Sequence, residues 1–311
     1  MTEKTDRRYP FTSFPEGWFY ICHSDELKNE EIKPVSLLGK NLILMRNAEG
    51  TPYLYSAYCP HQGAHIGFGG KISKHHFTCP FHGWNFNFQG KCVSKAYNDK
   101  VSDETDFIRS YAVCEIDRKI FFFHNREEKI PFLNLPEVPE YSDPEWIHIQ
   151  KSSWKFKSHI QEIAENLVDA VHFETLHRTS YPDTVFTPEG RTAIISSRLK
   201  LYTRKGEEKD ALLNSRGYGP GYWILKYEGI VDTIAVVTIT PIDQEYLNFN
   251  FEFLIRGNEA LGKKFTDSII KEVEADIIIW ENKKYRSRPL LENYDGPVME
   301  FRTWFSQFLT R

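Results

Sequence analysis

Residues 59–84 read CPHQGAHIGFGGKISKHHFTCPFHGW. The stretch begins with Cys59-x-His61 and, after seventeen further residues, closes on Cys79-x-x-His82. Two thiolates and two imidazoles at this spacing can hold metal in two ways. All four can bind a single zinc ion. Alternatively, the two cysteines bind one iron of a [2Fe–2S] cluster and the two histidines bind the other.

The surroundings decide for the cluster. Each cysteine is followed by proline, and each Cys/His pair lies in a loop with glycine just beyond it. Two such loops can clamp a flat cluster from opposite sides. A Cys2His2 zinc finger places both cysteines first and both histidines later, whereas here each loop supplies one of each. Cys59 and Cys79 are expected to be inner ligands, His61 and His82 outer ones, with Phe81 and Trp84 as shields. Histidine ligation raises the potential of such a centre to roughly −150 to +300 mV. His65, His75 and His76 do not fit the spacing and read as surface or packing residues.

Outward from this stretch, the first 125 residues read as β. Short strand patterns at 18–22, 41–46, 53–57, 86–88 and 119–124 alternate with Gly- and Asn-containing turns. Four prolines between 130 and 144 mark a boundary. The expected organisation is an all-β domain over 1–130 and a second, α+β domain over 131–311. In the second domain a helix is predicted over 157–177, strands over 192–202, 222–230, 233–241 and 245–255, and a long helix over 262–284.

Composition limits the function classes. The chain has 311 residues, 41% of them hydrophobic, and a formal net charge of −4. That mild acidity argues against a nucleic-acid binder. No run approaches the length of a membrane span, and the start, MTEKTDRRYP, has no signal-peptide core. A cytoplasmic location is the default expectation. Five cysteines are no disulfide scaffold. Residues 51–100 carry five lysines against the single acid Asp99, a basic collar that could steer an acidic electron donor.

A second constellation lies at 165–177, ENLVDAVHFETLH. Asp169 and His172 are three apart and would share a helical face. His177 would sit well around an ideal helix, so the helix must bend, widen or end if both histidines are to meet one metal. A carboxylate would complete a two-His-one-carboxylate set, which leaves coordination positions open and is diagnostic of non-haem Fe(II) oxygenases. Candidates in the last long helix are Glu272, Glu274, Asp276 and Glu281. Asp276 is chosen because it lies in the apolar run ADIIIW at 275–280, where an unpaired carboxylate is expensive.

With both motifs in hand, the chain resembles the catalytic component of a Rieske non-haem iron oxygenase along nearly its whole length. More narrowly it is similar to the branch that contains 3-ketosteroid 9α-hydroxylase and cholesterol 7-desaturase. The residues that carry this are FPEGWFYI at 14–21, AYCPHQGAHIGFGG at 57–70 and NKKYRSRPLLENYDGPVMEFRTWFSQF at 282–308. The resemblance implies a Rieske domain followed by a helix-grip catalytic domain with iron bound by His172, His177 and Asp276. It implies O2 as co-substrate and electrons from NAD(P)H through a flavin and iron–sulfur reductase or a ferredoxin. It also implies a homotrimer in which Asp169 bridges a neighbour's cluster histidine and an iron-ligating histidine. Asn166 matches a polar residue near the iron. The substrate is expected to be hydrophobic, a steroid or other polycycle, hydroxylated or desaturated at a C–H bond.

Competing readings are a Rieske electron carrier without oxygenation chemistry, an oxidative demethylase of the same family, and a zinc-dependent interaction protein. The first leaves 165–177 and Asp276 unexplained. Aromatic residues at 218–223 and at Phe249, Phe251 and Phe253 are candidate pocket walls. No Arg or Lys is obviously placed for an acidic substrate.

Overall fold

The computed structural model describes residues 8–98, 100–101, 106–126, 130–202 and 208–309. The chain divides into two compact units. One comprises 18–134, the other 1–17 together with 135–311. The sequence-derived boundary at 130 lies near this division, while residues 8–17 group with the C-terminal unit. Contacts within that unit account for the grouping. Arg8 donates to the carbonyls of Trp280 and Lys283 at the end of the last long helix, and Phe11 stacks on His159 at 4.2 Å.

The 18–134 unit is built of short antiparallel strands in three small sheets. One of them orders Lys71–Ile72, His76–Thr78, Asn85–Asn87 and Cys92–Ser94 side by side. Phe77 and Phe86 pair across it and are fully buried. They share a core with Tyr55, Trp84, Cys59 and Cys79, so the loops at 57–70 and 79–84 are anchored on packed aromatic residues. All five strands expected here are present.

The larger unit is a seven-stranded antiparallel sheet with helices against it. The order is Trp146–Lys157, Tyr246–Arg256, Asp232–Pro241, Tyr222–Glu228, Glu208–Tyr218, Thr192–Tyr202 and Asp183–Glu189. Asp232–Pro241 is buried along almost its whole length, as expected for a strand covered on both faces. A 24-residue helix, Glu259–Asn282, packs on the strands Trp146–Lys157 and Tyr246–Arg256. This is the α+β, helix-grip arrangement expected. The strands Trp146–Lys157, Asp183–Glu189 and Glu208–Tyr218 were not expected. They are rich in Lys, Ser, Thr and Glu and largely exposed on one side.

The helix expected over 157–177 does not form as one piece. Residues up to Lys157 belong to the edge strand, and two short helices follow, α1 (Ile160–Glu165) and α2 (Val171–Thr175). The segment contains neither Gly nor Pro, so the break is tertiary in origin. Every α1 residue is buried, and Glu165 at its end is held by Arg302 through bonds of 2.6 and 2.7 Å. Helical bonding tightens there, with Val168 N–H donating to the Glu165 carbonyl. The long helix Glu259–Asn282 is α3, and Val298–Phe305, which supplies Arg302, is α4.

Candidate functional site

The two Cys/His loops close in the same way. Cys59 N–H donates to Ala64 O and Gly63 N–H returns to Cys59 O, both at 2.9 Å. Cys79 N–H donates to Trp84 O at 2.8 Å and Gly83 N–H returns to Cys79 O at 3.2 Å. Gly63 and Gly83 both lie at positive φ, 72° and 66°, a region open to glycine and strained for other residues. Thus each cysteine is followed four residues later by the glycine that turns the chain, although the histidines differ in offset.

Side-chain placement separates thiols from imidazoles. Cys59 and Cys79 are 3% and 2% exposed, whereas His61 and His82 are half-buried. The histidine rings lie 4.6 Å apart. Burial pushes the Cys59 thiol up to about 12, so a positive centre is needed to hold it as thiolate. Two buried thiols beside two outward imidazoles suit a [2Fe–2S] cluster with mixed ligation. Trp84 is buried and stacks on His61 at 4.9 Å with a 10° angle. The Tyr97 hydroxyl lies 3.3 Å from His61 Nε2 and accepts from Trp84 Nε1 at 3.0 Å. Phe81, expected as a shield, is 61% exposed and lies against the His82 ring. His65 Nδ1 accepts from Gly67 N–H, and His76 Nδ1 meets Ser73 Oγ, local roles in keeping with packing. Of the basic collar, Lys95 pairs with Asp106 at 2.7 Å and lies over Trp84. Asp99 lies outside the described residues.

The second constellation converges in the larger unit. Ligand atoms of His172, His177 and Asp276 all lie within 4.8 Å of one another. The helix solves the His177 problem by ending. Leu176 and His177 N–H both point to the His172 carbonyl, at 2.8 and 3.4 Å, so the last turn widens. Arg178 then takes a left-handed conformation, φ 59°, and Thr179 N–H closes back on Phe173 O at 3.0 Å. This is a helix-terminating turn closed by a left-handed residue, made without glycine.

Asp276 is 6% exposed. The reason that singled it out is only half right, because Ile278 and Ile279 beside it are 64% and 50% exposed. Its burial comes from helix phase: Ile269, Val273, Asp276 and Trp280 share the inward face of α3. Asp276 Oδ1 is 3.3 Å from His177 Nε2. Burial alone would hold the His177 imidazolium down, but Asp276 outweighs it and raises the ring above its usual value. Asn166 Nδ2 lies 3.0 Å from His172 Nε2 and 3.2 Å from Asp276 Oδ2.

Asp169 stands in the turn before α2, not on the helix face expected of it. Its main-chain carbonyl accepts from His172 Nδ1 at 2.6 Å, while its carboxylate is 3.8 Å away with a side chain 42% exposed. His172 is therefore oriented by backbone, which directs its Nε2 toward His177 and Asp276. Two imidazoles and a carboxylate on one point suit Fe(II) with open positions.

A cavity of about 340 Å3 opens beside these three side chains. Leu199, Leu213, Leu225, Val237, Phe249 and Phe251 are among its walls. Of the expected aromatic candidates Trp223, Phe249 and Phe251 line it, and Tyr218, Tyr222 and Phe253 do not. Arg178, exposed, and Glu272, half-buried, also line it. Neither was expected. Burial lifts the Glu272 carboxyl to about 7, with Asp276 adding to the effect. Among the described residues no helix is long and apolar enough to cross a membrane.

Comparison with known proteins finds a family match in each part of the chain. Residues 17–112 match the Rieske [2Fe-2S] domain, and residues 122–309 match the 3-Ketosteroid 9alpha-hydroxylase C-terminal domain. The chain is 30% identical to cholesterol 7-desaturase of Caenorhabditis elegans, over 96% of this chain and 77% of the relative. It is 26% identical to the 3-ketosteroid-9-alpha-monooxygenase oxygenase component of Rhodococcus rhodochrous, over 96% and 84%. Among solved structures, dicamba monooxygenase bound to dicamba superimposes with a TM-score of 0.74 at 17% identity, over 96% of this chain and 98% of that one. That likeness concerns the fold alone.

Proposed function

The chain belongs to the Rieske non-haem iron oxygenases, in the 3-ketosteroid 9α-hydroxylase family, and from that footing we propose that it hydroxylates or desaturates a ring C–H bond of a steroid-like substrate. The observation that carries this is the apolar cavity directly beside His172, His177 and Asp276. A cavity of this size falls within the range of small-ligand sites. Its leucine, valine and phenylalanine walls favour a hydrophobic polycycle over a small polar acid.

In this reading Cys59, Cys79, His61 and His82 hold the [2Fe–2S] cluster, and His172, His177 and Asp276 hold Fe(II). Iron supplies O2 activation when bound, using electrons that a reductase or ferredoxin delivers one at a time from NAD(P)H. The chain's own residues do the rest. Asp169 O fixes His172 Nδ1 and so the direction of its ring. Asp276 and Asn166 set the polar end of the cavity. Phe249, Phe251 and Leu213 hold the substrate and exclude water from its reacting edge. Asp169 keeps a partly exposed carboxylate, suited to a cluster histidine of a neighbouring subunit in a head-to-tail homotrimer. A cytoplasmic location fits this electron supply.

The test is turnover with a reductase, NADH and 18O2 over a sterol and ketosteroid panel, scored by product mass. One labelled oxygen gained, or two hydrogens lost, is the expected result. Substrate-independent O2 uptake with every sterol recovered intact would overturn the proposal.

A further inference from the structure

The cavity wall is apolar on most sides, and several of its polar atoms are committed, although Trp223 Nε1 is buried without a partner among the described residues. Thr179 Oγ1 donates to the Phe173 carbonyl at 2.9 Å and Ser268 Oγ to the Phe265 carbonyl at 2.7 Å. The Asn166 amide lies against His172 and Asp276. Glu272 differs. It lines the cavity, is half-buried, and makes no hydrogen bond or ion pair with another described residue. A carboxyl held away from bulk water without a partner costs free energy. Such a group is readily accommodated where a ligand satisfies it.

We propose that Glu272 is the hydrogen-bonding point that recognises a hydroxyl group on an otherwise apolar substrate and so sets which C–H bond faces His172, His177 and Asp276. The inference rests on the oxygenase reading above and deepens it. Glu272 precedes Asp276 by four residues on α3, and both line the cavity. One turn of helix separates them by about 6 Å along the axis. A hydroxyl held on Glu272 therefore lies along the same cavity wall as the iron-binding side chains, about one helical turn from Asp276.

The chemistry favours a hydroxyl over other polar groups. An alcohol can donate to a carboxylate and can also accept from a carboxylic acid, so it meets Glu272 in either protonation state. A ketone pairs only with the protonated acid. A primary ammonium pairs only with the carboxylate, and it would carry its charge into an apolar cavity at a large desolvation cost. Apart from Asp276, the remaining carboxyl of the wall is Glu228, at the end of the strand Tyr222–Glu228 beside the exposed Gly229.

The experiment is equilibrium binding to the iron-loaded protein without reductant, followed by fluorescence of Trp223 and Trp280, which line the cavity. The probes are cholesterol and cholest-5-ene, which differ only in the ring hydroxyl. Wild-type protein should bind the alcohol about tenfold or more tightly than the hydrocarbon, as a hydrogen bond to a carboxyl group implies. Glu272→Leu should bring the ratio near one by weakening the alcohol alone, and Glu272→Gln should restore part of it. Glu272→Leu deletes a half-buried carboxyl that has no hydrogen-bond partner among the described residues, so its melting temperature should hold or rise. An unselective wild type, a wild type that binds neither probe, or a ratio that survives Glu272→Leu would overturn the proposal. So would loss of the ratio in Glu228→Gln with Glu272→Gln unaffected. Product formation and iron content on the same preparations test the oxygenase reading separately. A protein that turns sterols over without discriminating the hydroxyl defeats this inference alone.

Discussion

The side-chain amide of Asn166 lies 3.0 Å from Nε2 of His172, the nitrogen that faces His177 and Asp276. An N–H donor against that nitrogen competes with a metal for the same lone pair. Amide nitrogen and oxygen are nearly isosteric, and turning the amide presents Oδ1 to the cation instead. Asn166→Ala should then weaken mononuclear iron about 10-fold, the lower end of the effect of groups that support metal ligands. Chelator competition measures it. Iron affinity unchanged in the Ala variant would reduce Asn166 to a spacer.

Tyr97 stands in a comparable relation to His61. Tyr97 occupies His61 Nε2 at 3.3 Å, so Nδ1 is the nitrogen that would hold the cluster, and Nε2 would then donate its proton to the Tyr97 oxygen. An acceptor there favours the more positive, oxidised cluster. Tyr97→Phe should raise the reduction potential while preserving the visible spectrum. Spectroelectrochemical titration reads the shift, and an unchanged or lowered potential contradicts the assigned bond.

The His177–Asp276 contact fixes a pH dependence. Asp276 raises the His177 imidazole above its unfolded value despite burial. In iron-free protein the stabilisation is fully present below about pH 6.5, the ordinary histidine value, and is lost as pH rises through the folded-state value. Iron requires the neutral ring, so iron affinity should climb across the same window. Thermal melts of iron-free protein should fall in this range, and Asp276→Asn should flatten the slope. A melt that rises across it reverses the sign and removes the pair.

Glu165 and Arg302 join the end of α1 to α4 by two bonds, with both side chains nearly buried. Arg302→Met leaves the Glu165 carboxylate unpaired and should cost about 3–5 kcal/mol. Denaturant unfolding of the iron-free chain tests this. Because Glu165 precedes Asn166, the variant should also release iron faster.

The cysteine and histidine loops were legible because their chemistry is local. Cys59, His61, Cys79 and His82 sit within 24 residues of sequence, and the glycines that close both loops sit beside them. The His172 and His177 pair was legible as residue types but not as a helix, because the break between α1 and α2 goes with tertiary contacts such as the Arg302–Glu165 pair, 137 residues apart. Asp276 was found by an apolar neighbourhood that is half exposed; its true signal is the spacing Ile269, Val273, Asp276, Trp280. That spacing also holds Glu272, which its charged neighbours Lys271 and Glu274 disguise as solvated. Two of the missed strands, Trp146–Lys157 and Asp183–Glu189, are the sheet's edges, and the lysines of the first face outward.

The central claim is that one chain carries two separate iron centres, the second held by His172, His177 and Asp276. Anaerobic iron and sulfide analysis of the wild type and of His172→Ala and Asp276→Ala, paired with the Rieske electron paramagnetic resonance signal, tests it most directly. Wild-type protein should hold one iron per chain beyond the pair in the cluster. Each variant should lose that iron and its turnover while the cluster signal stays intact. Equal iron in wild type and both variants, with the same signal, would contradict the account.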